Sequence, residues 1–413
     1  MDKIEKRNEI RIDNQIEIIN LLRRGKRTTT ELAKRLGISF TAISNIIDEL
    51  VRNNLIKYSN KKESKTRGRN PVFVELNCDD GVVCCVDLSS YFIRIVIATL
   101  DNKVIVEDII PDLRFLTFEH LEKIEQSIKT LLKRPEVNNR KLLSICITSP
   151  GLIRPDTYEF VYSRRVSGQT TINPVTYFTN AFNVKVEMHN DVKVGCLAEL
   201  KYGVFPKKPF NGIFAHIGVY SSLSLVLNGK IYEGSNGFAG ETPVYDFIEE
   251  ENNSRIWNFR FYPLFEIART IENKKGLPLS VVNKYLDVDK IVKDFKNGDQ
   301  ITVEAIKESA MINAMTIFGL ATILDIDYVV IEGKILDFGE EYLDLIKQYI
   351  SRFSSVTLAM RARILSSSLK DESSMIGACH QAASMHFLDS IENATKERIN
   401  LPEFVIDKKY REI

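Results

Sequence analysis

Two capped apolar repeats separated by a single glycine occupy the first fifty residues, and they limit the fold more than any other stretch. Apolar residues at Ile10, Ile12, Ile16, Ile18, Ile19, Leu21 and Leu22 predict a helix from about Asn8 to Arg24. Thr28 with Glu31 three residues on has the form of a capping box, and Leu32 and Leu36 carry a second helix to Gly37. Gly37 supplies the turn residue and Ser39 can cap a third helix, with Ile43, Ile46, Ile47 and Leu50 on one face. The other face presents Thr41, Ser44, Asn45 and Asp48. Two short helices about a glycine turn, the second apolar behind and short-chained in front, describe a helix-turn-helix. Short side chains suit a major groove because the backbone must come within hydrogen-bond reach of base edges. Phe40, Thr41, Ser44 and Asn45 are therefore candidates for base contact, with Ser39 beside them in the DNA-binding set. Asn45 can pair with adenine, and Phe40 or Thr41 can pack on a thymine methyl.

A strand Ile56-Lys57-Tyr58, a charged tip from Asn60 to Asn70 and a return strand Val72–Leu76 then read as a winged hairpin. Lys61, Lys62, Lys65, Arg67 and Arg69 on that tip would meet phosphates or the adjacent minor groove, adding affinity but little sequence information. Charge agrees with this placement. Residues 1–70 hold 17 Lys/Arg against 9 Asp/Glu, a net of +8; the whole chain is +1, which leaves −7 for residues 71–413. A basic head on an acidic body indicates a polyanion-binding module fused to something else.

The 413 residues are enough for two or three cores, and 27% charged with 44% hydrophobic residues is ordinary globular composition. Six cysteines, at 78, 84, 85, 146, 196 and 379, form no CxxC pair and lie mostly in apolar runs, as expected of reduced core residues in a cytoplasmic protein. The charged start Met1–Arg7 is unlike a signal peptide, and no apolar run approaches bilayer length, so no membrane association is expected. The histidines at 120, 189, 216, 380 and 386 lack ligand spacing, so neither a metal nor a cofactor is expected.

From Gly81 the texture becomes strand-rich. Val82–Leu88, Phe92–Leu100 and Val104–Ile110 read as successive strands, followed by a helix near Phe118–Leu132 and a buried strand Leu142–Ile147. The order recurs: strands Gly212–Ile217, Ser222–Leu227 and Lys230–Tyr232 about an Asn228-Gly229 turn, then helices near Thr302–Leu324 and Tyr342–Ser351 with the strand Tyr328–Ile331 between them. A β-meander that leads twice into helices implies a duplicated α/β body of two lobes.

Several segments of this body resemble the ROK family (repressor, open reading frame, kinase), and the resemblance spans essentially the whole chain. Arg67-Gly68-Arg69-Asn70-Pro71 is similar to the element that ends the wing of the family's regulators. Ser149-Pro150-Gly151 resembles its PG loop, and His189-Asn190-Asp191 the segment with the catalytic aspartate. Asn236–Glu241 resembles the NGxAGE stretch, and Ser368-Leu369 with Ile376-Gly377-Ala378 the C-terminal element. The resemblance implies an α/β fold: a winged helix-turn-helix over 1–78, then a two-lobed actin-like, ribonuclease H-like sugar-kinase body. The first lobe would span 79–192, completed by helices at about 372–413, and the second 193–371. It also implies sugar contacts at Asn190, Asp191, Glu241 and Glu266, with Asp191 a relic of the kinases' general base.

The departures from the family pattern fall on the nucleotide side. The kinases' phosphate turns are glycine-rich because only glycine lets backbone approach so closely. Here the three turns read Asp87-Leu88-Ser89-Ser90-Tyr91, Gly218–Ser224 and Ile331-Glu332-Gly333-Lys334. Val244 stands in place of the family's histidine, and the zinc-binding cysteine motif is absent. The resulting expectation is a non-enzymatic transcription regulator: a repressor, a homodimer or dimer of dimers, that binds a double-stranded operator and responds to a sugar or sugar phosphate. A bifunctional ATP-dependent sugar kinase, and a regulator governed by a protein partner with a vestigial cleft whose carboxylates serve only loop hydrogen bonds, are the alternatives.

Overall fold

The computed structural model describes residues 3–59, 72–89, 92–111, 115–163, 172–241, 261–277, 286–353 and 362–399. The chain forms two compact units: Met1–Ser149, Arg164–His189 and Ala378–Ile413 make the first, Pro150–Ser163 and Asn190–Gly377 the second.

The first unit opens with α1 (Lys3–Leu22), β1 (Arg27–Thr28), α2 (Thr29–Leu36), α3 (Phe40–Arg52), β2 (Ile56–Tyr58) and β3 (Phe73–Leu76). Helix α1 starts earlier than the apolar repeat predicts. Thr28 and Glu31 form the reciprocal capping box, and Gly37 ends α2 in the left-handed conformation at φ 68°. Ser39 caps α3 by accepting from the Ala42 amide at 3.2 Å. Ile18, Leu32, Ile43, Ile47, Leu50, Ile56 and Val74 are buried together as the core of this module. β1 was not foreseen. It pairs antiparallel with β3, which pairs with β2, so the wing is a three-stranded sheet.

The rest of the first unit contains β4 (Gly81–Asp87), β5 (Ile93–Ala98), β6 (Val104–Ile110), α4 (Phe118–Leu132) and β7 (Lys141–Ser149). The short strands β8 (Leu152–Ile153) and β9 (Phe160–Tyr162) belong to the second unit, and α5 (Pro174–Phe182) and β10 (Lys185–Asn190) follow. The sheet order is β10-β7-β4-β5-β6, with β4 antiparallel to β5 and parallel to β7. The second unit adds α6 (Asp191–Tyr202), β11 (Gly212–Ile217), β12 (Ser221–Leu227), β13 (Lys230–Ile231), α7 (Leu264–Lys274), α8 (Val288–Lys296), α9 (Gln300–Leu324), β14 (Tyr328–Glu332), α10 (Glu340–Phe353) and β15 (Arg363–Ser366). Its sheet order is β13-β12-β11-β14-β15, with β11 antiparallel to β12 and parallel to β14.

Each sheet thus places a three-strand meander beside two later strands, in the same relative order. The duplicated α/β architecture is built into the strand order itself. Central strand β4 is buried along nearly its whole length, as expected of a strand covered on both faces. In the second unit a buried polar knot fixes the helices. The Tyr342 hydroxyl meets Ser309 at 2.9 Å and accepts from Asn313 Nδ2 at 2.6 Å, while Asn313 Oδ1 accepts from the Tyr262 amide at 2.5 Å.

Helix α11 (Ser373–Ile399) closes the described chain and contributes to both units, passing from one to the other after Gly377. Within the first unit its carbonyl at Ala382 accepts from Ser144 Oγ at 2.7 Å, and Gln381 donates to Glu187 at 3.2 Å. All six cysteines are free thiols, and five are buried. Among the described residues no helix is long and apolar enough to cross a membrane.

Candidate functional site

The candidate nucleic-acid face is built on α3. Its apolar side, Ile43, Ile46, Ile47 and Leu50, is buried, which turns Ser39, Phe40, Thr41 and Asn45 outward and leaves Ser44 half-buried. Phe40 is 57% exposed, a cost for a large apolar ring unless something covers it. Asp48 on the same helix accepts from the Tyr58 hydroxyl at 2.8 Å, so β2 is tied to α3. The wing cations Lys61, Lys62, Lys65, Arg67 and Arg69 lie outside the described residues. The basic run Arg23–Arg27 divides in two. Arg23 is buried, whereas Arg24 and Lys26 are exposed, and Lys26 lies 5.5 Å over the Phe73 ring of β3. Lys26 is a contact candidate that the helical pattern did not single out, although the charge run was visible.

The second cluster stands at the start of α6. Asn190 is its N-cap, with Oδ1 accepting from the amides of Val192 at 3.0 Å and Lys193 at 3.1 Å. That leaves Nδ2 to donate outward, to Glu241 Oε1 at 3.0 Å and to the Gly151 carbonyl at 3.3 Å. Three segments distant in sequence, at Pro150-Gly151, Asn190-Asp191 and Asn236–Glu241, are thereby brought together in one unit. Glu241 is held by burial, and then by the Asp191 carboxylate, at a pKa of about 7 against the opposing pull of Lys193. An amide beside two carboxylates can grip vicinal hydroxyls. Glu266 is placed differently. It lies half-buried in the first turn of α7 and makes no hydrogen bond to Asn190 or Glu241. Val244 lies outside the described residues.

The glycine-poor turns are closed on themselves. Asp87 Oδ1 accepts from the Ser89 amide at 2.9 Å and from Thr148 Oγ1 at 3.0 Å; Ser90 and Tyr91 lie outside the described residues. In the second turn the Gly218 amide bonds the Tyr220 carbonyl at 2.9 Å. The Leu264 and Phe265 amides at the start of α7 donate to the Gly218 and Val219 carbonyls, at 2.9 and 3.3 Å. Amides that could have faced an anion are spent on the chain itself. In the third turn Glu332 is buried, bonding His216 Nδ1 across the parallel β11–β14 pair and accepting from Ser373 Oγ at 3.1 Å. Burial of the His216 ring opposes its charge, but Glu332, Asp191 and Asp371 outweigh that and raise its pKa to about 9. Neither His216 nor Lys193 was foreseen as part of this region. Each is a single polar residue in an apolar stretch, with no spacing pattern to mark it.

The ROK family model matches residues 83–243 and 267–384, well over half of the chain. The chain belongs to the ROK family. A winged helix-turn-helix DNA-binding model matches residues 13–57 of this ROK protein, the segment that folds as α1 to β2. Among curated relatives, the xylose repressor of Caldicellulosiruptor bescii is 25% identical over 364 residues, covering 84% of this chain and 89% of that protein. The xylose repressor of Staphylococcus xylosus is 24% identical, over 79% of this chain and 83% of the relative. Among solved structures, a ROK family transcriptional regulator homologous to the Escherichia coli MLC protein superposes with a TM-score of 0.72 at 18% identity, over 94% of this chain and all of the other. A ROK hexokinase from Thermus thermophilus gives 0.57 at 16% identity, over 73% of this chain and 97% of the other. The winged head and the sugar-kinase-like body are therefore both established as folds.

Proposed function

We propose that this ROK protein is a sequence-specific DNA-binding repressor of carbohydrate-metabolism genes, acting as a homodimer or dimer of dimers. Its operator affinity responds to a sugar or sugar phosphate gripped by Asn190, Asp191 and Glu241, with Glu266 as an outlying contact. Residues 1–78 bind DNA, with Lys61, Lys62, Lys65, Arg67 and Arg69 on phosphates, and the two lobes carry the effector. The observation that carries this reading is the outward face of α3, with Thr41 and Asn45 exposed on a winged fold, in the same chain as the Asn190–Glu241 cluster. Relatives that align over about four fifths of the chain bear the name xylose repressor, which favours a sugar as the effector.

Asp191 then acts as a hydroxyl acceptor without phosphoryl transfer. In support, the α7 amides are already bonded to the Gly218–Tyr220 turn, and the buried Glu332 occupies the third turn. A mobility-shift titration on duplex from upstream of the protein's own gene tests the DNA reading. The wild type should give a retarded band that weakens steeply with salt. Asn45→Ala should lose about 1–3 kcal/mol of specific binding while non-specific binding is kept. Failure of the full chain to bind any duplex at low salt would end the proposal. ATP-dependent phosphorylation of a sugar, lost in Asp191→Asn, would replace it with the bifunctional kinase.

A further inference from the structure

Lys193 occupies a costly place. It lies in the first turn of α6, where the helix dipole disfavours a cation, and only 8% of the residue is exposed. Its ammonium nevertheless has two partners on one loop. Nζ meets Glu233 Oε2 at 2.5 Å and also donates to the Gly237 carbonyl. That loop runs from Glu233 to Glu241 without helix or strand, and it is pinned at two close approaches. A Cβ on Gly237, at φ 78°, would lie 2.5 Å from Pro155 Cγ, and one on Gly240, at φ 90°, would lie 2.2 Å from the Leu223 carbonyl oxygen. The loop ends at Glu241, whose carboxylate Asn190 reaches from the residue that caps the same helix.

We propose that Lys193 is the positioning residue of this cluster: its ammonium fastens the loop 233–241 to the first turn of α6 and so sets where Glu241 stands relative to Asn190 and Asp191. The purpose of that placement rests on the sugar-binding reading above; the mechanical claim does not. Lys193 itself touches the loop, not the ligand. It organises the site from behind.

Hydrogen–deuterium exchange on the full-length protein reads the loop directly, without any ligand. In Lys193→Met the amides of 234–240 should exchange about tenfold faster or more, the consequence of losing the charge-assisted hydrogen bonds to Glu233 and to the Gly237 carbonyl. Strand β11 should exchange as in the wild type. Lys193→Arg, which keeps a cation and donors, should restore much of the protection. The carboxyl resonance of Glu241, followed by carbon-13 NMR, should titrate at lower pH in the Met variant than in the wild type, because the freed loop relieves the burial and the nearness of Asp191 that raise it; loss of the lysine charge without movement of the loop would shift it the other way. If Lys193→Met does not fold, Glu233→Gln probes the same link from the loop side and should loosen 234–240 to a smaller degree. Loop exchange that is indifferent to the substitution that folds would overturn the inference. Absence of binding by any sugar, with the loop loosened as described, would instead overturn only the effector reading.

Discussion

Glu241 and His216 both have pKa values raised above their ordinary ones, for opposite physical reasons. Glu241 is buried beside Asp191, and its carboxyl moves from the usual 4.5 to about 7. The stability associated with its neutral form is therefore complete below about 4.5 and is lost as pH rises through about 7. Glu241→Gln keeps an oxygen for Asn190 and removes the charge. In denaturant unfolding at mildly alkaline pH the variant should be more stable than the wild type by roughly 1–3 kcal/mol. At acid pH the two should converge. His216 is raised because carboxylates surround it, from 6.5 to about 9. Its contribution is complete below about 6.5 and fades as pH rises through about 9. The wild type should therefore lose Tm across that alkaline window, and His216→Gln should show no such fall there. A parallel loss in both proteins would mean that the His216–Glu332 pair adds nothing.

Elements differ in how plainly the sequence announces them. The Asn228-Gly229 hairpin was legible because its chemistry is local: both residues take positive φ, 53° and 78°, as the predicted tight turn requires. α3 was legible because one face is buried and the other is wet. α6 was not, and α11 was expected only through the family resemblance, as helices at about 372–413; the reason is packing. In α6 seven of the eight residues from Val192 to Glu199 are buried, all but Leu197, so no apolar stripe alternates with a polar one. α11 carries buried Ala378, Cys379, Ala382 and Ala383, small residues that permit close contact and leave little periodic signal. Gly377 makes this tangible within the second unit, since a Cβ there would fall 2.0 Å from the Val194 carbonyl oxygen of α6. Gly377→Ala should cost about 1–3 kcal/mol in urea unfolding through overpacking, although alanine is the better helix former. An unchanged midpoint would show that α6 and α11 yield easily. The candidate site was legible only where a motif spans it: Asn190, Asp191 and Glu241 could be named, whereas Lys193 could not, because its partners lie 40 and more residues away.

At the scale of the molecule, the winged head is locked to its own unit by one buried cation. Arg23, just past the end of α1, donates to His380 Nδ1 at 2.5 Å, to the His380 carbonyl at 2.9 Å and to Ser384 Oγ at 3.0 Å, and lies 5.3 Å over the Phe387 ring. A guanidinium can only donate, so His380 Nδ1 accepts and the ring proton sits on Nε2. Arg23→Ala should destabilise the head by about 2–4 kcal/mol, read as faster hydrogen exchange in α1 and the facing turns of α11. Exchange confined to its wild-type rate would show that the head is held elsewhere. This lock holds the DNA-binding module to the part of α11 that belongs to the first unit.

In the proposed function one chain reads DNA and reports a sugar to it. Fluorescence anisotropy of a labelled operator duplex at fixed salt, titrated with the full-length protein alone and then with each of a panel of aldopentoses, aldohexoses and their phosphates, tests it most directly. At least one sugar should change the operator Kd by about fivefold or more, and Asn190→Ala should abolish the change while leaving the sugar-free Kd intact. An operator Kd that is the same in the presence of every sugar, or a response that survives intact in Asn190→Ala, would contradict it.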